Sequence, residues 1–189
     1  MGLLTLLKLL RDLRIDPKNG IIKSKYGIRY ILLSDDSILA IQDDLEKIVG
    51  KDAARGLAYR IGYEAGKRFA KPFKEAFKNQ SSQSSYSIAR KCGDFAQLAG
   101  WGKHKIQISE NENKAIVIVY DSPLSQLKKN AKEPVCNLHC GLLAGSASII
   151  LGKKIVGEEV NCVAKGDPFC KFILRIERGG ENDKNGGKT

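Results

Sequence analysis

Near its C-terminal end the chain reads Glu159-Val-Asn-Cys162-Val-Ala-Lys-Gly166-Asp167-Pro-Phe-Cys170-Lys-Phe172. The β-branched and aromatic residues over 155–162 and 169–176 predict two strands, and the Gly-Asp-Pro sequence between them predicts a turn. Strands joined by so short a connection pair antiparallel. The hairpin therefore brings Cys162 and Cys170 to the same end, where their thiols can face each other.

The rest of the chain shows the apolar patterns of several helices and strands. A period of three to four residues predicts helices at 3–14, 37–49, 51–78, 86–100 and 137–151. Alternating or β-branched stretches predict strands at 21–33, 105–109 and 115–120. This order predicts an α+β fold with an antiparallel sheet packed against helices. We divide the chain into an N-terminal helix at 1–16, a main domain at 17–178 and a flexible polar tail at 179–189.

Composition and charge exclude several classes of protein. The 189 residues include 32 basic and 21 acidic side chains, and the net charge of +11 is spread along the chain. A specific nucleic-acid reader needs a basic stripe and a binding motif, and we find neither. No stretch approaches the ~20 apolar residues of a membrane span, and the opening residues lack the features of a signal peptide. We therefore expect a cytoplasmic protein with no specific nucleic-acid partner and no membrane span.

The five cysteines carry the clearest chemical signal. An odd number in an apparently intracellular chain argues against a disulfide framework and favours metal binding or simple burial. Cys92 lies on the apolar face of the 86–100 helix, where we expect a core residue. The other four cysteines lie in the last third of the chain.

Four side chains have the right chemistry for a zinc site. Cys136 begins the 137–151 helix, where the helix N-terminus favours the thiolate that a metal needs. Cys162 and Cys170 flank the hairpin turn, and Glu159 precedes Cys162 by three residues. Three thiolates and one carboxylate complete a tetrahedral zinc site.

Other ligand sets remain open on spacing alone. His139 and Cys140 lie one turn into the same helix and are alternative ligands. A regular strand places Glu158, rather than Glu159, on the face of Cys162, unless a β-bulge intervenes. The thiols can also be buried and reduced without a metal, or form a heat-stable disulfide.

The quoted stretch resembles the signature of the 4-vinyl-reductase-type domain. That pattern has a Glu, a Cys three residues on, a Gly-Asp, a second Cys eight residues after the first, and an aromatic residue. The helix at Ala53–Gly66 and the segment Cys136–Gly145 also fit, so the resemblance covers about residues 20–177. The family includes proteins named after reduction of a vinyl group in bacteriochlorophyll synthesis. It also includes the aromatic-sensing domains of phenol- and toluene-responsive activators.

The resemblance implies a fold, a metal and a class of ligand. The family's fold is similar to that of Golgi vesicle-tethering subunits, with an apolar cavity between helices and an antiparallel sheet. The phenol sensors hold a structural zinc ion with three Cys and one Glu, and their positions match Cys136, Glu159, Cys162 and Cys170. The polar groups that anchor phenol in those sensors do not map onto this sequence.

The leading functional hypothesis is a sensor or carrier with a pocket for an apolar small molecule. Small residues on the 51–78 helix, among them Ala58 and Gly62, leave room for a ligand beside bulkier apolar neighbours. Tyr63 and Trp101 are the candidate polar groups at one end of that ligand. The alternative is that the glycines allow two helices to cross closely.

Two other functions are considered. A reductase of a vinyl-bearing tetrapyrrole needs a hydride donor, and no nicotinamide or flavin signature is visible, so we expect binding rather than catalysis. A protein-interaction module is the other alternative. The leucine-rich helix at 3–14 predicts a homodimer, because its apolar face is too large to leave in water.

Overall fold

A four-stranded antiparallel sheet with the order β4-β5-β7-β6 forms one layer of the protein. The computed structural model describes residue 7 and residues 10–77, 84–109 and 114–177. The strands of the main sheet are β4 (Lys103–Ser109), β5 (Lys114–Tyr120), β6 (Ile155–Asn161) and β7 (Cys170–Ile176). A smaller antiparallel sheet contains β1 (Leu13–Asp16), β2 (Ile21–Ser24) and β3 (Arg29–Tyr30).

Five helices accompany these strands in the described part of the chain. They are α1 (Asp35–Val49), α2 (Lys51–Phe77), α3 (Ser85–Leu98), α4 (Pro123–Leu127) and α5 (Asn137–Leu151). A short 3-10 turn at Val163–Lys165 lies between β6 and β7. The predicted α+β class, with an antiparallel sheet against helices, is confirmed.

Two elements differ from the sequence prediction. The predicted helix at 3–14 does not reach its expected end, because Leu13 pairs with Ser24 as the first residue of β1. Most of that helix, the loop at 78–83 and the tail at 179–189 lie outside the described residues. The segment before α5 contains the short helix α4, whose start at Ser122-Pro123 has the proline typical of a first helical turn.

The long helix α2 crosses α5 at unusually short range. A Cβ atom added to Gly62 would collide with the carbonyl group of Leu138, and one added to Gly141 would collide with the carbonyl group of Tyr59. Gly66 and Gly145 stand in the same relation one turn further along each helix. The small-residue face of α2 is therefore filled by the backbone of α5, which is the close helix crossing that the sequence left open.

The protein has two apolar cores. One lies between α5 and the main sheet and includes Val119, Ala144 and Phe172. The other lies beside the smaller sheet and includes Phe73, Phe95 and the expected core residue Cys92, which is 6% exposed. Among the described residues, no helix is both long and apolar enough to cross a membrane.

Candidate metal centre and cavity

The structure brings the four predicted ligand residues together at one end of the main sheet. One ligand atom from each of Cys136, Glu159, Cys162 and Cys170 lies within 4.8 Å of all the others. The Sγ atoms of Cys136 and Cys170 are 3.8 Å apart, and all three cysteine side chains are fully buried. The cluster could hold a metal ion.

A β-bulge places Glu159 in this cluster. In the pairing of β6 with β7, Glu159 lies opposite Phe172 and Asn161 lies opposite Lys171, so Val160 is the extra residue. The extra residue reverses the alternation of side chains along the strand. Glu159 and Cys162 consequently share a face, which a regular strand would deny them.

The turn between β6 and β7 is built to present Cys162. The carboxylate of Asp167 accepts hydrogen bonds from the Cys162 main-chain N–H at 2.8 Å and from the Asn161 amide at 3.0 Å. Gly166 has a φ of 98°, which a residue with a side chain rarely adopts. The Gly-Asp pair of the sequence motif therefore fixes the backbone that carries the thiol.

Cys136 approaches the cluster from the start of α5. Its main-chain N–H donates to Glu159 Oε2 at 2.8 Å. Two buried hydroxyl groups border the sulfur atoms, since Ser122 Oγ lies 3.5 Å from Cys136 Sγ and Ser125 Oγ lies 3.5 Å from Cys170 Sγ. Sequence reasoning missed both serines, although the Ser-Pro start of α4 was a visible signal.

The electrostatics of the cluster favour a cation. Burial, reinforced by the neighbouring Cys162, raises the pKa of Glu159 to about 8. Hydrogen bonds from the thiols of Cys136 and Cys162 lower the pKa of Cys170 to about 4, whereas the pKa of Cys136 is raised because its proton is held in bonds to the other two sulfurs. One thiolate thus forms readily, and further negative charge needs a positive ion among the ligands.

The geometry fits zinc. A Zn–S bond of about 2.3 Å implies a sulfur–sulfur edge of about 3.8 Å in a tetrahedron, which is the separation of Cys136 and Cys170. The second carboxylate oxygen of Glu159, Oε1, is buried without a hydrogen-bond partner. A buried acceptor of this kind is costly unless something satisfies it. Three sulfur ligands and one oxygen ligand also form a donor set that zinc accepts.

The alternative ligands lie elsewhere. Cys140 is buried outside the cluster, where burial raises its pKa to about 12. The Nε2 atom of His139 lies 3.2 Å from that of His104, and the His139 ring packs against Trp101 at 5.1 Å. Glu158 is exposed and lies 3.4 Å from Arg175.

The four predicted ligand-binding residues do not surround one space. Gly62 lies at the crossing with α5. The Tyr63 hydroxyl hydrogen-bonds with Ser148 Oγ at 2.7 Å, and Trp101 packs against His139. Ala58 alone of the four lines a described cavity, which has a volume of about 160 Å³.

That cavity lies between α1, α2 and the segment at 128–137 that leads into the metal centre. Its lining residues include the apolar Ala54, Ala58 and Val135. It also includes Gln42, Lys128 and Lys132, which the sequence did not single out. No local pattern marks these residues, because they come from separate segments that meet only in the folded chain.

Comparisons with known proteins agree with this architecture. Residues 8–112 match the sequence profile of a family described as activator of aromatic catabolism, and residues 115–176 match that of the vinyl-4-reductase-type domain. An uncharacterized protein of Methanocaldococcus jannaschii is 34% identical over 79 residues, which are 40% of this chain and 46% of that protein. The chain thus spans about half the length of that relative.

Two crystal structures share the fold. The phenol-responsive sensory domain of the transcription activator PoxR, solved with phenol, has a TM-score of 0.78 and 26% identity, covering 91% of this chain and 88% of that one. A vinyl-4-reductase family protein from Methanocaldococcus jannaschii has a TM-score of 0.53 and 20% identity, covering 79% of this chain and 85% of that one. The resemblance carried by the hairpin motif is confirmed.

Proposed function

Because the chain belongs to the family described as activator of aromatic catabolism, we propose that it is a small-molecule-binding sensory domain stabilised by a structural zinc ion. The observation that carries the proposal is the likeness to the phenol-responsive domain of PoxR, which extends over nine-tenths of this chain. A likeness of this extent supports a shared class of ligand, namely small aromatic molecules with an apolar body.

The zinc ion would be held by Cys136, Glu159, Cys162 and Cys170. With four protein ligands it would have no open position, and it would supply folding free energy rather than catalysis. The ion would join the N-terminus of α5 to the hairpin of β6 and β7. Because Cys136 also ends the segment that borders the cavity, the metal would hold one wall of that cavity in place.

The sensory unit is proposed to be a homodimer in the cytoplasm. Leu7 and Leu10 are about half exposed, at 53% and 48%, and Ile61 on the outer side of α2 is 52% exposed. Burial of a leucine or isoleucine side chain stabilises an interface by about 1.5–3 kcal/mol. A second copy of the chain is the proposed partner for these side chains.

Calorimetric titration tests the binding function. The metal-loaded protein is titrated with phenol, toluene and benzoate, and cyclohexanol serves as a non-aromatic control of similar size. We expect saturable binding of at least one aromatic compound, together with a rise in the melting temperature, because a ligand that binds only the folded state stabilises it. Absence of binding and of thermal stabilisation with every aromatic compound would contradict the proposal.

A further inference from the structure

The cavity between α1, α2 and the segment at 128–137 has the size of a single aromatic ring. Its volume is about 160 Å³, and a protein cavity of about 150 Å³ is large enough to bind benzene. Ala54 and Ala58 are almost completely buried, and together with Val135 they supply an apolar surface against which a ring can pack.

The charged groups around this cavity are unbalanced. Four basic side chains line it, but only two acidic ones, Glu46 and Glu133, do so. The basic residues are Lys51, Arg55, Lys128 and Lys132.

Ion pairing leaves positive charge available. Lys51 and Arg55 share a single carboxylate, that of Glu133, at 3.4 Å and 2.7 Å. Lys128 is neutralised by Asp43 and Glu46. Lys132 forms no ion pair with any residue that the structure describes. The cavity therefore attracts an anion.

A buried amide adds a polar group with no partner. Gln42 is only 9% exposed, lines the cavity, and has no hydrogen bond to any other described residue. A buried amide without a hydrogen bond destabilises the folded state by about 1–3 kcal/mol. A ligand with an oxygen atom would satisfy its N–H groups.

We propose that this cavity binds a small aromatic carboxylate, a single ring bearing one acid group. The ring packs against the apolar surface of Ala54 and Ala58, and the carboxylate accepts hydrogen bonds from Lys132 and the Gln42 amide. A neutral phenol leaves the excess positive charge unused, and an inorganic anion leaves the apolar surface uncovered. The inference rests on the proposed small-molecule-binding function and assigns the ligand class and the site.

The test compares ligands and then variants by calorimetric titration of the full metal-loaded chain. Benzoate is the probe, with phenol as the neutral analogue and inorganic phosphate as the anion without a ring. We expect benzoate to bind at least about ten-fold more tightly than either. Lys132→Ala should weaken benzoate about five-fold, as expected for loss of one partly exposed charge partner.

Three further variants make the test specific. Lys129→Ala is the matched control, because Lys129 is an exposed lysine of the same segment that does not line the cavity, and it should leave benzoate affinity unchanged. Gln42→Leu should weaken benzoate, and Ala58→Leu should abolish its binding by filling the cavity. If Ala58→Leu does not fold, Lys132→Ala and Gln42→Leu still decide the outcome.

The failures are distinguishable. Binding of phenol or toluene without binding of benzoate would overturn this inference and leave the proposed function standing. Equal weakening by Lys132→Ala and Lys129→Ala would reduce the effect to surface charge and would also overturn it. Equal affinity for phosphate would identify an anion site with no role for the ring. Absence of binding by every aromatic compound would overturn both proposals.

Discussion

The sulfur atoms of Cys136 and Cys170 lie 3.8 Å apart, although 34 positions separate the two residues in the chain. The contact joins the first residue before α5 to the first residue of β7. Few interactions tie a helix terminus to a strand so closely, and in this protein the contact is completed by Glu159 and Cys162. The stability of the domain should therefore depend on what these four side chains bind.

Replacement of one cysteine ligand should release the metal and destabilise the fold. We expect Cys162→Ser to lose the bound zinc and to lower the free energy of unfolding by several kcal/mol, because the energy of structural metal binding contributes to folding. Elemental analysis and chemical denaturation measure the two effects. Cys140→Ser is the control, since Cys140 is buried outside the cluster. A Cys162→Ser protein of unchanged stability would show that the cluster has no structural metal.

The helix crossing predicts opposite effects for two glycines of α2. Gly62→Ala places a methyl group against the backbone of Leu138, and such overpacking costs about 1–3 kcal/mol. Gly56→Ala meets nothing within 4 Å and should stabilise the helix by about 0.5–1 kcal/mol. Thermal unfolding of the two variants measures the difference. Equal melting temperatures would contradict the close crossing.

The buried His139 should make the fold sensitive to acid. Burial, with His104 nearby, lowers the pKa of His139 from 6.5 to about 3. Between these values the unfolded chain binds a proton that the folded chain does not. Stability therefore falls as the pH decreases through this window, by about 1.4 kcal/mol per pH unit.

A variant isolates this contribution. His139→Phe should have a shallower decline in unfolding free energy between pH 6.5 and pH 5 than the wild-type protein in the same zinc-containing buffer. Denaturant titrations at each pH give the two slopes, and the difference removes any effect of metal release that the proteins share. Parallel slopes would show that His139 takes up its proton without disturbing the fold.

Removal of the leucine-rich start of the chain should disrupt the proposed dimer. A truncation that deletes residues 2–9 stops short of β1, so it leaves the smaller sheet intact. We expect a monomer or an aggregating protein by light scattering, because exposed leucines such as Leu7 and Leu10 would lose their partner. A truncated protein with an unchanged oligomeric state would place the interface elsewhere.

The sequence predicted the elements whose apolar pattern is regular, and it missed those set by tertiary contacts. The helix at 137–151 and the strands of the main sheet follow directly from periodicity. The strand β1 does not, because Leu13 and Ile15 continue a helical pattern and become a strand only by pairing with β2. The short helix α4 likewise lies in a segment that has no clear period.

The candidate sites show the same division. Cysteine spacing and the family resemblance identified the metal cluster, but the choice of Glu159 over Glu158 depends on a bulge at Val160 that no residue type announces. The glycines of α2 were recognised as a place of close approach, and only the structure shows that the approaching group is the backbone of α5. The cavity combines side chains from segments far apart in the chain, so its basic lining could not be recognised.

Native mass spectrometry of the protein purified without chelator tests the central claim most directly. The account predicts a mass that corresponds to the chain plus one zinc ion per chain, and a further increase by one aromatic molecule when the ligand panel is added. A metal-free mass that no aromatic compound changes would contradict the account.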